Sequence, residues 1–194
     1  MNIPNIISLL RIPFLFICVI LLYSRYKWSS SLALVFYMIS AVSDWLDGYL
    51  ARKYQLTSKI GAFTDALTDK IFMLGIMVTM LSQHILPEWS LFLVLTIFLR
   101  EFLITGLRAI AATRDIVIPA QKEGKMKTVC QMISIGLILL CNAFRTDFIT
   151  VIPENITRYV YFLGIFLFTY ATYLTVTSGI IYLKRFSQVF QNTN

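Results

Sequence analysis

The chain has 194 residues, of which 58% are hydrophobic and only 14% are charged, and its mean hydropathy is +0.74. This composition excludes a soluble domain built around one core and indicates an integral membrane protein. The net charge of +7 suits an anionic bilayer surface, and it does not indicate nucleic-acid binding because the basic residues are scattered among apolar segments.

Six apolar segments follow one another along the chain, each of about 20 residues, which is enough to cross a bilayer as a helix. They lie near residues 5–23, 32–53, 62–82, 89–112, 126–144 and 156–183. The pattern predicts an all-α integral membrane protein with six transmembrane helices, in a single domain over residues 1–194. The first segment has no basic residues before it and no small-residue cleavage site after it, so we expect it to be retained.

The basic residues predict how these helices are oriented. Of the 17 Lys and Arg residues, all but Arg25, Lys27, Arg145 and Arg158 lie nearer one side of the membrane. Because Lys and Arg accumulate in cytoplasmic loops, both termini and the loop between the second and third helices are expected to be cytoplasmic. The localisation predicted is a multi-pass protein of the cell (plasma) membrane.

Four aspartates stand on either side of that loop, in the run D-x2-D-G-x2-A-R-x8-G-x3-D-x3-D. They are Asp44, Asp47, Asp65 and Asp69. An ionised carboxylate in a membrane helix costs roughly 2.5 to 3.5 kcal/mol on insertion scales, so four together need a compensating cation. Oxygen ligands without His or Cys nearby favour a hard divalent ion, Mg2+ or Mn2+.

The spacing of the aspartates predicts that they meet. In an antiparallel helix pair, residues equally distant from the turn lie at equal depth, which matches Asp47 with Asp65 and Asp44 with Asp69. At about 100° per residue, the aspartates of each helix share one face with small residues that leave room for a ligand. Those small residues are Gly48, Ala51 and Gly61.

Two other interpretations of the aspartates are a structural polar cluster and a cation path through a channel or transporter. Arg52, one or two turns from Asp44 and Asp47, argues against the cation path. A fixed cation hinders cation conduction, whereas a diphosphate can bridge a metal ion and an arginine. The expected ligand therefore carries phosphate.

The run from Asp44 to Asp69 resembles, at every fixed position, the signature of the CDP-alcohol phosphatidyltransferases, membrane enzymes of phospholipid synthesis. The resemblance implies that the four aspartates hold one or two Mg2+ or Mn2+ ions and that Asp69 also deprotonates the acceptor hydroxyl. It implies a site for the CDP-linked lipid formed by Asn5, Gly48, Ala51, Arg52 and Gly61. A homodimer and a polar cavity open to the cytoplasm are further expectations of this resemblance.

Three other segments are similar to those of bacterial family members that form phosphatidylglycerol phosphate. They are Asn2-Ile3-Pro4-Asn5 with Ser8 and Arg11, Arg100-Glu101 with Gly106-Leu107-Arg108, and Gly124-Lys125-Met126-Lys127-Thr128. Ser8 stands where Thr is usual, and this keeps the hydroxyl. The likeness extends from Asn2 to about Gln131 and leaves the last two helices without a specific motif.

The basic residues of these segments could hold an acceptor that bears its own phosphate. The candidates are Arg11, Lys59, Arg108, Lys125 and Lys127. Positive-inside anchoring is the alternative explanation for such cations. Glu101, seven residues before Arg108 and on nearly the same helix face, could pair with Arg108 or orient another basic residue.

The function expected is transfer of the phosphatidyl group from CDP-diacylglycerol to glycerol 3-phosphate, giving phosphatidylglycerol phosphate and CMP. A related alternative is the same chemistry on another acceptor, such as an inositol phosphate, or phosphatidylglycerol as in a cardiolipin synthase. The alternative from another class is a cation transporter that uses the aspartates as its ion site. That function predicts broken helices in two related halves, which the sequence does not suggest.

Overall fold

The computed structural model of the chain describes residues 3–24, 26–53, 59–113 and 122–191. Within these ranges, the side chains of residues 3–8, 44–53, 59–60, 62–63, 109, 112–113, 122–123, 125 and 185–191 are not described.

The described residues form six α-helices, as predicted. These are α1 (Ile3–Tyr23), α2 (Ser29–Lys53), α3 (Lys59–Ser82), α4 (Leu91–Thr113), α5 (Lys122–Thr146) and α6 (Glu154–Gln191), with one 3₁₀ turn, Glu88–Ser90, before α4. Most predicted ends agree within four residues. The exception is α6, which continues to Gln191 rather than ending near residue 183.

Side-chain contacts define the directions of the helices. α1 packs against α2 in an antiparallel sense, with the Cys18 thiol 3.6 Å from the Ala33 carbonyl oxygen, and it runs parallel to α3. α5 and α6 form an antiparallel pair, while α2 packs on α5 and α4 on α6. The core between them includes Tyr37, Ile76, Ile138 and Phe168, each at most 1% exposed.

Two glycines let the helices approach closely. A Cβ at Gly75 of α3 would lie 2.7 Å from the Leu15 side chain, and a Cβ at Gly164 of α6 would lie 2.7 Å from Cγ1 of Ile138. Small residues at such crossings are typical of helices that pack within a membrane, where tight van der Waals contact replaces the hydrophobic driving force.

Three helices of the described part of the chain are long and apolar enough to cross a membrane. Their spans are Glu88–Arg108, Met126–Thr146 and Glu154–Lys184, and two shorter apolar stretches are Leu9–Tyr23 and Ser29–Ser43. Large apolar side chains such as Phe16, Phe92 and Phe166 are more than 60% exposed, as expected of a surface that faces lipid. The chain is an all-helical membrane protein; that all six helices span and that residues 1–194 form one domain stay predictions.

The helix directions give the bundle two ends. At one end, called the site end, α2 leads into α3 and α4 into α5. At the other, called the far end, Asp147 links the loop between α5 and α6 to the loop between α1 and α2. Its Oδ1 accepts a hydrogen bond from the backbone N–H of Trp28 at 3.1 Å, and its Oδ2 accepts the backbone N–H and the hydroxyl of Ser31 at 2.7 and 2.6 Å. Asp147 therefore caps α2 from a distant part of the chain.

Candidate active site

Two of the four motif aspartates are described, and they lie one turn apart on α3. Arg11 of α1 contacts both: its Nη2 is 3.5 Å from Oδ1 of Asp65, and its Nη1 is 3.9 Å from Oδ1 of Asp69. The Arg11 side chain is 2% exposed, whereas those of Asp65 and Asp69 are 47% and 38% exposed. A buried guanidinium requires such partners, and the carboxylates keep open sides toward a ligand.

Arg11 is predicted to hold the acceptor phosphate, and the structure places its guanidinium against the carboxylates of Asp65 and Asp69. The reason is the parallel packing of α1 against α3, which brings Arg11 level with Asp65 and Asp69. Gly61, four residues before Asp65 on the same helix, is buried. The phosphate-binding role of Arg11 stays a prediction.

Several predicted site residues have side chains outside the described part of the chain. They are Asn5, Asp44, Asp47, Gly48, Ala51, Arg52, Lys59 and Lys125. The depth matching of the aspartates across the α2–α3 turn therefore stays a prediction. Within the described residues, no three His, Cys, Asp or Glu side chains gather closely enough to hold a metal ion.

Ion pairs and a hydrogen bond join α4, α5 and α6 beside Asp69. Glu101 pairs with Lys127 of α5, and its Oε1 also accepts a hydrogen bond from Nη1 of Arg100 at 3.0 Å. Nη2 of Arg100 donates to the Ser178 hydroxyl of α6 at 3.1 Å. Of the two roles considered for Glu101, this geometry supports the orientation of other basic residues.

Two further cations complete the cluster. Lys70, directly after Asp69, donates a hydrogen bond to the Thr105 hydroxyl of α4. Arg108 lies over the Tyr182 ring of α6, with 5.4 Å between the guanidinium carbon and the ring centroid. Stacking on an aromatic face holds a guanidinium in place while its N–H groups remain available to a ligand.

A cavity of about 960 Å³ lies among α2, α3, α4, α5 and α6 next to these groups. Four cationic side chains and two anionic ones are among the described residues that line it. The cations are Lys70, Arg100, Arg108 and Lys127, and the anions are Asp69 and Glu101. A cavity with this excess of positive charge, beside a carboxylate, suits a ligand that carries phosphate and loses a proton during reaction.

Sequence reasoning missed two of the cations and the part played by α6. Lys70 was only counted among the basic residues that predict the orientation of the helices, although its position beside Asp69 pointed to the site. Arg100 was named only as part of the Arg100-Glu101 segment, although a charge deep in a membrane helix is itself a functional signal. The sequence of α6 gave no signal, because its residues contribute to the site only through their contacts with Arg100 and Arg108 of α4. These residues are Ser178, Gly179 and Tyr182.

Comparisons with known proteins point in one direction. The sequence model of the CDP-alcohol phosphatidyltransferases matches residues 1–176. A Bacillus subtilis protein named CDP-diacylglycerol–glycerol-3-phosphate 3-phosphatidyltransferase is 33% identical over 73% of this chain and 78% of its own length. Proteins of the same name from Rickettsia typhi and Salmonella choleraesuis are 26% and 29% identical, over 94% of this chain and 96% and 93% of theirs.

Proposed function

The chain belongs to the CDP-alcohol phosphatidyltransferase family, and from that membership we propose that it transfers the phosphatidyl group of CDP-diacylglycerol to glycerol 3-phosphate. The products are phosphatidylglycerol phosphate and CMP. Relatives that align along most of the chain carry the name of this activity, which supports the choice of both substrates.

The observation that carries the choice of acceptor is the cation cluster at the cavity. Four cations line the cavity against two carboxylates, and hydrogen bonds or ion pairs already orient three of the cations. The cations are Lys70, Arg100, Arg108 and Lys127, and the carboxylates are Asp69 and Glu101. Acceptors such as choline, ethanolamine or serine would bring no phosphate of their own to these cations. Glycerol 3-phosphate brings a dianion that fits this charge.

In the proposed reaction, a hydroxyl oxygen of glycerol 3-phosphate attacks the β-phosphorus of CDP-diacylglycerol. A new oxygen–phosphorus bond forms, the bond from that phosphorus to the bridging oxygen breaks, and CMP departs with the bonding electrons. Asp69 takes the proton of the attacking hydroxyl. Its neighbours Lys70 and Lys127 hold the acceptor phosphate, so that the hydroxyl points toward Asp69.

Asp65 and Asp69, with Asp44 and Asp47, are the residues that would hold divalent metal. The described pair fits such an ion, because both present carboxylate oxygens on one face of α3 and both are partly exposed. When bound, Mg2+ or Mn2+ neutralises charge on the diphosphate.

An assay of CMP release from CDP-diacylglycerol by the purified chain tests the proposal. Release should require glycerol 3-phosphate, and EDTA should abolish it while added Mg2+ or Mn2+ restores it. Inositol phosphate and phosphatidylglycerol serve as competing acceptors. Equal turnover with either of them would overturn the assignment of the acceptor, and full turnover by metal-free protein would overturn the assignment of the metal.

We also propose that the site end faces the cytoplasm and that the chain forms a homodimer in the cell membrane. The bias of Lys and Arg toward the site end supports the orientation. Single cysteines introduced at Asp115 and at Ile149, in a variant free of native cysteine, can be labelled with an impermeant maleimide on intact cells. Labelling at residue 149 alone agrees with the proposal, and cross-linking in the membrane measures the oligomeric state.

A further inference from the structure

Arg11 is more deeply buried than any other charged side chain that the structure describes, at 2% exposed. It lies on α1, and its guanidinium is 3.5 Å from the carboxylate of Asp65 and 3.9 Å from that of Asp69, both on α3. A buried charge is strongly unfavourable unless a charge of opposite sign lies beside it. The two carboxylates therefore stabilise Arg11, and Arg11 in turn neutralises part of their negative charge.

The packing of α1 against α3 holds the guanidinium in this place. Leu15 lies one turn after Arg11 on the same face of α1, and it is 7% exposed. It contacts α3 at Gly75, where a Cβ would lie only 2.7 Å from the methyl carbons of Leu15. A movement of α1 that took Arg11 away from the carboxylates would have to open this contact.

Asp65 and Asp69 are in contact with the protein on one side and open on the other. Arg11 lies on their buried side, whereas 47% and 38% of their side chains are exposed. The open side is the one on which a divalent ion can bind the carboxylate oxygens. Such an ion and Arg11 would share the same two carboxylates, and two positive charges so close together repel each other.

We propose that Arg11 is a positioning residue that holds Asp65 and Asp69 together in the metal-free protein and weakens their affinity for the divalent ion. This inference rests on the metal site of the proposed function. Two carboxylates four residues apart on one helix repel each other when nothing lies between them and a compensating charge. With Arg11 beside them the pair is already oriented. A divalent ion then gains less by binding, because part of the negative charge is already neutralised.

The first measurement is the Kd for Mn2+ of the purified protein without substrate, followed by the electron paramagnetic resonance signal of the free ion. Arg11→Met keeps the hydrocarbon stem and removes the charge, so it should bind Mn2+ more tightly. We expect its Kd to be lower by roughly fivefold or more, the smaller end of typical couplings between two sites. Arg11→Lys keeps the charge but loses the planar fork, so its Kd should lie closer to that of the unmodified protein.

The second measurement is thermal unfolding, with EDTA and with saturating Mn2+. Relative to the unmodified protein, Arg11→Met should lower the melting temperature at least twice as far in EDTA as in Mn2+, because the bound ion replaces the missing charge. A residue that only packs α1 against α3 would not give this difference between the two conditions.

Leu15→Ala is the matched control, since it removes buried bulk from the same face of α1 and changes no charge. Its melting temperature should fall equally in EDTA and in Mn2+, and its Kd for Mn2+ should be unchanged. The two measurements form one thermodynamic cycle, so a variant that loses more stability without the ion must also bind the ion more tightly.

Unchanged or weaker Mn2+ binding by Arg11→Met would overturn the proposal, and so would equal losses of melting temperature in the two conditions. Failure of Arg11→Met to fold even in saturating Mn2+ would also overturn it, because the ion is proposed to replace the guanidinium. If Arg11 holds the acceptor phosphate instead, Arg11→Met should raise the KM for glycerol 3-phosphate and leave the Kd for Mn2+ unchanged.

Neither measurement uses an acceptor, so a failure of glycerol 3-phosphate to support turnover would overturn the proposed function and leave this inference intact. Absence of Mn2+ binding by the unmodified protein would overturn both the metal site and the role of Arg11. Tighter binding by Arg11→Met, with the unequal loss of melting temperature, supports the role of Arg11 whichever acceptor is used.

Discussion

The two ends of the bundle use polar residues in opposite ways. At the far end, Asp147 accepts three hydrogen bonds from Trp28 and Ser31, and Asn142 donates to the Ser30 hydroxyl at 3.0 Å. At the site end, two cations, Arg100 and Lys127, share the single carboxylate of Glu101. The first arrangement closes helix ends, and the second leaves positive charge facing a cavity.

The far end also holds a strained residue in place. Trp28 has φ 71°, a backbone conformation that residues other than glycine rarely adopt. Its N–H is bonded to Asp147, and its ring meets that of Phe148 edge to face with 5.0 Å between centroids. These contacts compensate for the strain by joining two loops. A polar group whose hydrogen bonds are all made within the protein is structural. Cations that outnumber the carboxylates beside a cavity indicate an anionic ligand instead.

The largest effect is expected from Asp69→Asn, which keeps the shape of the side chain and removes the proposed base. Turnover should fall by roughly 10²-fold or more, the scale typical of general-base loss. Asp65 continues to pair with Arg11, so the melting temperature should change little. Steady-state rates and melting temperatures measure the two effects.

Asp44→Asn is the control for that variant, since it should weaken metal and donor binding together. Normal turnover by Asp69→Asn would place the base elsewhere. If Asp69→Asn lost CDP-lipid binding as completely as Asp44→Asn, Asp69 would be a metal ligand alone.

The next largest effect is expected from Lys127→Met, which keeps the hydrocarbon stem and removes the charge. A charge-assisted hydrogen bond contributes about 1.5–3 kcal/mol, so the KM for glycerol 3-phosphate should rise roughly tenfold or more. The KM for CDP-diacylglycerol should change much less. Arg52→Ala, at the proposed donor site, should reverse this preference. Equal rises of both KM values in both variants would contradict the assignment of separate pockets.

The sequence was sufficient to predict the six helices, because apolar length and the position of charges depend on local composition. It was also sufficient for the family, since the aspartate signature has fixed spacing. It could not predict that Arg11 lies on the aspartates, because this depends on how α1 packs against α3. For the same reason, the contacts of Arg100 with Ser178 and of Arg108 with Tyr182 were not predictable from α6 alone.

A moderate effect of another kind is expected at the far end. Asp147→Ala removes the cap of α2 and should lower stability by about 1–2 kcal/mol, the upper range for loss of an N-cap. The rate per folded molecule should be retained, because Asp147 lies at the opposite end from Asp69. Thermal unfolding in detergent and active-site titration separate the two quantities.

Glu154→Gln is the control at the same end. Its ion pair with Arg158 is 3.0 Å long, but the two side chains are 84% and 62% exposed, so its loss should have little effect on stability. A fall in rate per folded Asp147→Ala molecule as large as the fall in Asp69→Asn would refute the division between the two ends.

The smallest effect is expected from Gly179→Ala. A Cβ at this position would lie 3.1 Å from Cγ of Arg100, so the arginine, which donates to the neighbouring Ser178 hydroxyl, must shift by a few tenths of an ångström. We expect the KM for glycerol 3-phosphate to rise roughly two- to fivefold, equivalent to less than about 1 kcal/mol. Alanine should otherwise favour the helix over glycine, which makes any loss of affinity specific to the contact. A double-mutant cycle provides the control: in an Arg100→Ala background, Gly179→Ala should have no further effect on KM. Additive effects in that cycle would mean that Gly179 acts on the site by some route other than Arg100, and α6 would lose its role in positioning the acceptor cations.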